Sequence, residues 1–173
     1  GIFLCILGIS WFWLVGAAFV AQFPNYTKMT LGGDETVVTL LLATFSIGIA
    51  IGSAMCSKLL KGLITTRYVP LAAAGISLAI ADLYFASHQV VRMEDGLMGA
   101  ITFIQQGGWR VVIDLFLLSI CGGIYVVPLY AFMQHHSEPA HRARIIAANN
   151  IMNALFMVVS SLLTLLCLRM GMS

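Results

Sequence analysis

The fold of this chain is decided by the stretch Ile2–Phe23, IFLCILGISWFWLVGAAFVAQF, which contains no charged residue. About 20 apolar residues in a helix, each adding a rise of about 1.5 Å, cross the roughly 30 Å hydrocarbon core of a bilayer. Four further apolar stretches of similar length follow, at Val37–Cys56, Val69–Ser87, Val111–Met133 and Ile145–Leu168. The pattern predicts an integral membrane protein with five transmembrane segments.

The composition agrees with this prediction and excludes several classes of function. The chain is 60% hydrophobic and 9% charged, whereas a soluble domain carries about 25% charged residues. A net charge of +2 without a long basic run argues against a nucleic-acid partner. The four cysteines lie far apart in apolar segments, and the three histidines of the 134–144 loop lack acidic or thiol partners at ligand spacing. We therefore expect no metal site and no cofactor.

The apolar stretches are continuous and about twice as long as the roughly 10-residue strands of a membrane barrel, so we predict helices. The fold class is therefore all-α, a polytopic membrane helix bundle with five transmembrane helices. The first connection, residues 24–36, contains Pro24 and Gly32–Gly33, which predict a turn. In the longest connection, residues 88–110, the part Leu97–Ile104 is mildly amphipathic and is predicted to lie at the membrane interface.

The orientation follows from the positions of lysine and arginine, which are slightly more frequent in residues 57–68 and 134–144 than on the other side. We predict that these two loops are cytoplasmic, which places the N-terminus inside and the C-terminus outside. The chain opens directly in apolar sequence without an initiator methionine, and its number of spans is odd. We therefore expect a fragment of a longer protein.

The last span carries three asparagines close together, Asn149, Asn150 and Asn153. The first and third are spaced i, i+4 and share a helix face. Polar groups inside a membrane are costly and are functional candidates for that reason. The alternative is that the amides join helices to one another, at about 0.6 kcal/mol each. Both interpretations hold if some amides face a cavity and others face a neighbouring helix.

The fourth span contains Gly122, Gly123 and Pro128, which predict a hinge or kink. Proline removes one i→i−4 hydrogen bond and bends a helix, and transporters often carry broken or bent helices at their binding sites. The alternative is that proline is simply common in membrane helices.

Asp82 and Asp114 are the only acidic residues within the predicted spans. Each is a candidate either for a coupling carboxylate or for an ion pair near the membrane surface, and Asp114 can approach Arg110 one turn earlier. Their spacing does not make a catalytic carboxylate pair, and we predict no catalytic residue.

Packing explains two further features better than chemistry does. Gly48 and Gly52, extended by Cys56, form a stripe of small residues that lets two membrane helices approach closely. Trp11 and Trp13 lie in the middle of the first span, where we expect them to pack or to line an apolar cavity.

A resemblance to a known family rests on three runs of sequence. They are GGIYVVPLYAFMQHHSEPAHRARIIAANNIMNALFMVVSSLL at Gly122–Leu163, GISWFWLVGAAFVAQFPNY at Gly8–Tyr26 and TVVTLLLATFSIGIAIGSAMCSKL at Thr36–Leu59. The chain resembles the major facilitator superfamily, and within it the lysophospholipid transporter branch, which is often fused to an acyl-ACP–phospholipid acyltransferase. The resemblance implies helices seven to eleven of twelve, a partial C-terminal half that lacks its N-terminal half. One departure is the absence of an acidic residue after Gly52, which the superfamily's loop motif normally carries near the helix end.

The resemblance implies a secondary transporter that moves lysophospholipid across the bacterial inner membrane for reacylation, by alternating access. Its partners would be the bilayer, an amphiphilic lipid substrate and the N-terminal half. We expect the substrate to be bound by residues of the first, fourth and fifth spans: Gln22, Trp11, Tyr130, Gln134, Asn149, Asn150 and Asn153.

Two other functions remain as alternatives. A drug or other small-solute exporter of the same superfamily would have an enclosed, more polar pathway. A membrane-embedded acyltransferase would need an HxxxxD arrangement, and neither His136 nor His141 has an aspartate at that spacing.

Overall fold

A computed structural model describes residues 1–59, 63–93 and 96–170. The helices are α1 (Ile2–Met29), α2 (Glu35–Leu59), α3 (Val69–His88), α4 (Ala100–Phe103), a π-helical turn (Ile104–Gly108), α5 (Trp109–His136) and α6 (Arg142–Arg169). Within the described residues, five helical segments are long and apolar enough to cross a membrane: α1, α2, α3, Ala100–His136 and α6. The chain is a multi-pass membrane protein, and the predicted all-α class is confirmed.

The chain divides into two compact units, and α1 and α5 each contribute residues to both. The first unit contains residues 1–21, 63–66 and 126–170. The second unit contains residues 22–59, 67–93 and 96–125.

The turn predicted within residues 24–36 is confirmed at Gly32–Gly33 and wrong at Pro24, because α1 continues through the proline to Met29. The chain turns later, at Gly32, whose φ of 68° lies in the left-handed region that glycine adopts without strain. A proline inside the helix removes one backbone hydrogen bond, whereas an open turn would leave several polar backbone groups unpaired in an apolar environment. The longer helix is therefore the less costly arrangement.

Close contact between α2 and α5 holds the second unit together. A Cβ atom on Gly52 would lie 2.1 Å from the carbonyl oxygen of Ile120, and one on Gly48 would overlap the Ser119 side chain. From the opposite side, a Cβ atom on Gly123 would lie 2.8 Å from the carbonyl oxygen of Ile49. The predicted close packing along the Gly48–Gly52 stripe is confirmed.

Two loops of the second unit pair through an isolated parallel β-bridge between Gly33 and Met98. The Asp34 amide donates to the Met98 carbonyl at 2.8 Å, and the Met98 amide donates to the Gly32 carbonyl at 2.7 Å. Met98 and Phe103 are fully buried. These two residues pack against the unit, whereas the other large apolar residues of the segment, Leu97, Ile101 and Ile104, are exposed.

A kink separates this segment from α5. Gly107 has a φ of 96° and Gln106 has a ψ of 20°, so neither residue continues the helix geometry. The spanning helix α5 then begins at Trp109, two positions before the predicted start at Val111.

Asp34 caps the N-terminus of α2. Its Oδ1 atom accepts hydrogen bonds from the amide of Thr36 at 2.8 Å and the amide of Val37 at 3.3 Å, and from the Thr36 hydroxyl at 2.6 Å. The hydroxyl bond, together with the two amide bonds, lowers the pKa of Asp34 below its ordinary value. A folded-state pKa below the unfolded one gives a contribution to stability that is present at neutral pH and is lost as the pH falls through the folded-state pKa.

Replacing Asp34 with alanine should lower the midpoint of thermal unfolding by a few degrees at neutral pH, because the cap is lost. Asparagine caps a helix about as well, so Asp34→Asn should keep the neutral-pH midpoint and lose only this acid-sensitive contribution. A drop as large for Asp34→Asn as for Asp34→Ala would show that charge, and not capping, is what matters.

In the first unit, the fully buried residues of α6 are polar. Its buried residues are Asn149, Asn153 and Ser160. The Ser160 hydroxyl donates to the Leu14 carbonyl of α1 at 2.6 Å. Most of the apolar side chains of α6 are exposed, as expected for a helix that faces lipid.

Candidate functional site

A polar network joins α1, α5 and α6 within the first unit. The Ser10 hydroxyl donates to Oδ1 of Asn153 at 2.9 Å, and Nδ2 of Asn153 donates to the Tyr130 hydroxyl oxygen at 3.3 Å. The indole Nε1 of Trp13 donates to the same oxygen at 3.1 Å. Asn153 therefore joins neighbouring helices, as one of the two sequence interpretations predicted.

The geometry leaves the hydroxyl proton of Tyr130 free to be donated in a further hydrogen bond. A phenol has one proton to donate and two lone pairs, and here the oxygen already accepts bonds from Asn153 and Trp13. Tyr130 is half-buried and Trp13 is 39% exposed, so this end of the network opens onto the surface of the unit. Tyr130 can therefore donate a hydrogen bond to an oxygen atom of a bound ligand.

Asn149 is the second feature of this region. Its side chain is fully buried, and neither Oδ1 nor Nδ2 has a hydrogen-bond partner among the described residues. An unsatisfied buried polar group costs about 1–3 kcal/mol. Asn149 lies one turn before Asn153 on the same face of α6, about 10 Å from the start of that helix. A ligand, or a further segment of protein, can supply the missing partners.

A cluster of charged residues lies in the second unit. The guanidinium of Arg110 forms an ion pair with Asp82 of α3 at 2.5 Å and donates a second hydrogen bond to Oε1 of Gln89 at 2.8 Å. The direct ion pair of Arg110 is therefore with α3. Asp114, which was predicted to approach Arg110, has a buried carboxyl group that interacts with the arginine electrostatically.

Curated relatives match the chain over most of its length. It is 29% identical over 150 residues to the lysophospholipid transporter LplT of Klebsiella pneumoniae strain 342, an alignment that covers 84% of this chain and 32% of that protein. Identity to the transporter of the same name is 26% over 134 residues in Enterobacter sp. and 25% over 130 residues in Photorhabdus laumondii. These two alignments cover 77% and 75% of this chain and 29% and 28% of the relatives.

The chain is similar to lysophospholipid transporters. The resemblance to this branch is confirmed, and the relatives are named as transporters and not as enzymes. The chain spans about a third of the length of the curated relatives it matches, at 32% in the Klebsiella protein. No family model matches the chain, and no solved structure matches it.

The structure brings together some of the residues that the lysophospholipid transporter resemblance predicts to bind substrate. Asn153 and Tyr130 are hydrogen-bonded to each other, and Asn149 lies one turn away. The other four lie outside the network: Asn150 exposed on α6, Gln134 exposed on α5, Trp11 exposed on α1, and Gln22 half-buried in the second unit. Their role in binding remains a prediction.

Two members of the network were missed by the sequence analysis. Ser10 was not among the predicted residues, and Trp13 was expected to pack or to line an apolar cavity, not to donate a hydrogen bond. The available signal was their i, i+3 spacing, which places a hydroxyl and an indole N–H on one face of an otherwise apolar helix.

The predicted hinge in α5 remains a prediction. The helix runs without a break from Trp109 to His136 with Pro128 inside it. Gly122 and Gly123 are both buried, and Gly123 lies against the backbone of α2. In this structure the observable role of Gly123 is close packing.

Proposed function

We propose that this chain forms part of a secondary transporter that moves lysophospholipid across the bacterial inner membrane, where the lipid is reacylated. The observation that carries the proposal is the similarity to lysophospholipid transporters over 84% of the chain. The five spanning helices would correspond to helices seven to eleven of a twelve-helix major facilitator transporter. Residues 1–173 would then be a partial C-terminal half that rocks against the N-terminal half during alternating access.

The polar network offers groups that suit a lysophospholipid headgroup. Such a lipid carries an anionic phosphate and a free glycerol hydroxyl. The Tyr130 proton can be donated to a phosphate oxygen, and hydrogen bonds to ionised groups are about twice as strong as neutral ones. The amide of Asn149 has unused donors and an unused acceptor, which a hydroxyl can satisfy in both directions.

Two cations at the start of α6 support the same assignment. Arg142 and Arg144 are exposed and lie about two turns before Asn149. Basic residues beside a membrane attract anionic lipid heads at about 1 kcal/mol each. They would raise the local concentration of lipid phosphate groups at the membrane surface where α6 begins, which is the surface nearer to Asn149 and Asn153.

The proposal is tested by uptake of radiolabelled lysophosphatidylethanolamine into spheroplasts that produce the whole transporter containing this chain. Replacing Tyr130 with phenylalanine should lower uptake about tenfold, because a hydrogen bond to a charged group contributes about 1.5–3 kcal/mol. Tyr84→Phe is the matched control, since Tyr84 is an exposed tyrosine of α3, and uptake should be unchanged.

Two results would contradict the proposal. The first is equal uptake by the Tyr130→Phe and Tyr84→Phe variants, which would remove the phenol from the site. The second is export of a cationic drug without any uptake of lysophospholipid, which would identify a small-solute exporter.

A further inference from the structure

The charged cluster of the second unit contains two carboxyl groups and one guanidinium. Asp82 comes from α3, and Arg110 and Asp114 come from α5. Both ends of the guanidinium are occupied, since one nitrogen pairs with Asp82 at 2.5 Å and the other donates to Gln89 at 2.8 Å. Arg110 therefore compensates the charge of Asp82.

The carboxyl group of Asp114 has a different environment. Asp114 is only 5% exposed, and its Oδ2 atom has no hydrogen-bond partner among the described residues. Asp114 lies one turn after Arg110 on α5 and is close enough to Asp82 to interact with it electrostatically. Tyr26 of α1 also lies close enough to interact with Asp114 electrostatically, and its hydroxyl is hydrogen-bonded to Ser87. From α2, no charged residue lies between Thr36 and Ser57.

The two carboxyl groups and the single guanidinium of this cluster are electrically balanced only if one carboxyl group binds a proton. If both carboxyl groups were ionised, the cluster would carry a net negative charge within an apolar helix bundle, at a cost of several kcal/mol. Two adjacent carboxylates also repel each other, so one of them retains its proton. The half-buried Asp82 is paired with Arg110, whereas Oδ2 of the buried Asp114 has no partner among the described residues, so Asp114 is the carboxyl group that retains the proton.

We propose that Asp82, Arg110 and Asp114 form a proton-binding site in which Asp114 holds one exchangeable proton next to the ion pair. A metal cation is disfavoured, because the guanidinium would repel it and because hard cations need several oxygen ligands. Loss of the proton would let Asp114 compete for Arg110, which is four residues earlier on the same helix face. The proton would therefore control the ion pair between α3 and α5. This inference does not depend on the proposed substrate.

Infrared spectroscopy of the purified whole protein in membranes tests the site without any transport measurement. A carboxylic acid has a carbonyl stretch that is separate from the carboxylate bands and shifts in D₂O. At neutral pH the unmodified protein should show this band. Asp114→Asn should lose it. Asp82→Asn should lose it too, because Asp114 would then be the acid that pairs with Arg110. Glu35→Gln, at an exposed position at the start of α2, should keep it.

Several outcomes would overturn the proposal. They are the absence of the acid band in the unmodified protein at neutral pH, its persistence in Asp114→Asn, and its removal by sodium chloride but not by choline chloride at constant pH. The last result would identify a metal-cation site. A further variant, Arg110→Gln, removes the only cation of the cluster and should increase the acid band about twofold, since both carboxyl groups would then bind protons.

Discussion

Replacing Asn149 with leucine in the whole transporter is expected to lower lysophospholipid uptake about ten- to a hundredfold and to leave the protein at least as stable as before. The buried amide has no partner among the described residues, so its removal relieves an unsatisfied polar group that costs about 1–3 kcal/mol. If the substrate is what satisfies this amide, the same energy is lost from binding, and each 1.4 kcal/mol corresponds to about a tenfold effect.

The measurement combines spheroplast uptake with thermal unfolding of the purified protein in detergent. Ser161→Leu is the matched control, because Ser161 is an exposed polar residue on the same helix, and it should change neither quantity. Asn153→Leu should behave differently from both. It removes the bonds to Ser10 and Tyr130, so uptake and the unfolding midpoint should fall together.

Two results would contradict this account of Asn149. Unchanged uptake would remove the residue from the binding site. A fall in stability together with uptake would show that the amide has a structural partner in the remainder of the transporter, and the role assigned to the substrate would be wrong.

Replacing Gly52 with alanine is expected to lower the free energy of unfolding by about 1–3 kcal/mol, the usual range for an overpacked interior. The added Cβ atom would lie 2.1 Å from the carbonyl oxygen of Ile120. That oxygen belongs to the backbone of α5 and cannot rotate away as a flexible side chain would. The two helices must therefore separate, and the contacts on either side of the glycine weaken.

Gly16→Ala is a control for which we expect no decrease in the free energy of unfolding. Gly16 lies within α1, and a Cβ atom there would meet nothing within 4 Å. Alanine is favoured over glycine inside a helix by up to about 1 kcal/mol, so this variant should be neutral or more stable. Unfolding of both variants in detergent, by heat or by titration with SDS, makes the comparison. Equal stability of the two would show that α2 and α5 are not in close contact at Gly52.

Much of the fold could be predicted from local sequence, because a helix that crosses hydrocarbon must satisfy its own backbone. The start of α3 at Val69 was predicted, and the ends of α3 and α6 were placed within one residue. The Gly48–Gly52 stripe was recognised because small residues four positions apart share a helix face. Pro24 was misinterpreted because a turn residue of soluble proteins is tolerated within a membrane helix.

The candidate site could be predicted only in part. The three asparagines of α6 were singled out, yet spacing alone could not show that Asn153 has partners and Asn149 has none. The bond between Ser10 and Asn153 joins residues 143 positions apart. The rotation of each helix about its axis decides such a contact, and that rotation depends on the packing of whole helices.

Gly107 has a consequence for how this protein fits its bilayer. Without the break at this glycine, residues Ala100–His136 would form one helix of 37 residues, about 55 Å long. A bilayer with its headgroups is about 40–45 Å thick, and the 28 residues of α5 reach about 42 Å. The left-handed conformation of Gly107 thus limits the length of the transmembrane helix α5. The residues before it, from Ala100, lie outside that helix. A change at this position would alter hydrophobic mismatch, and with it the membrane thickness that the protein prefers.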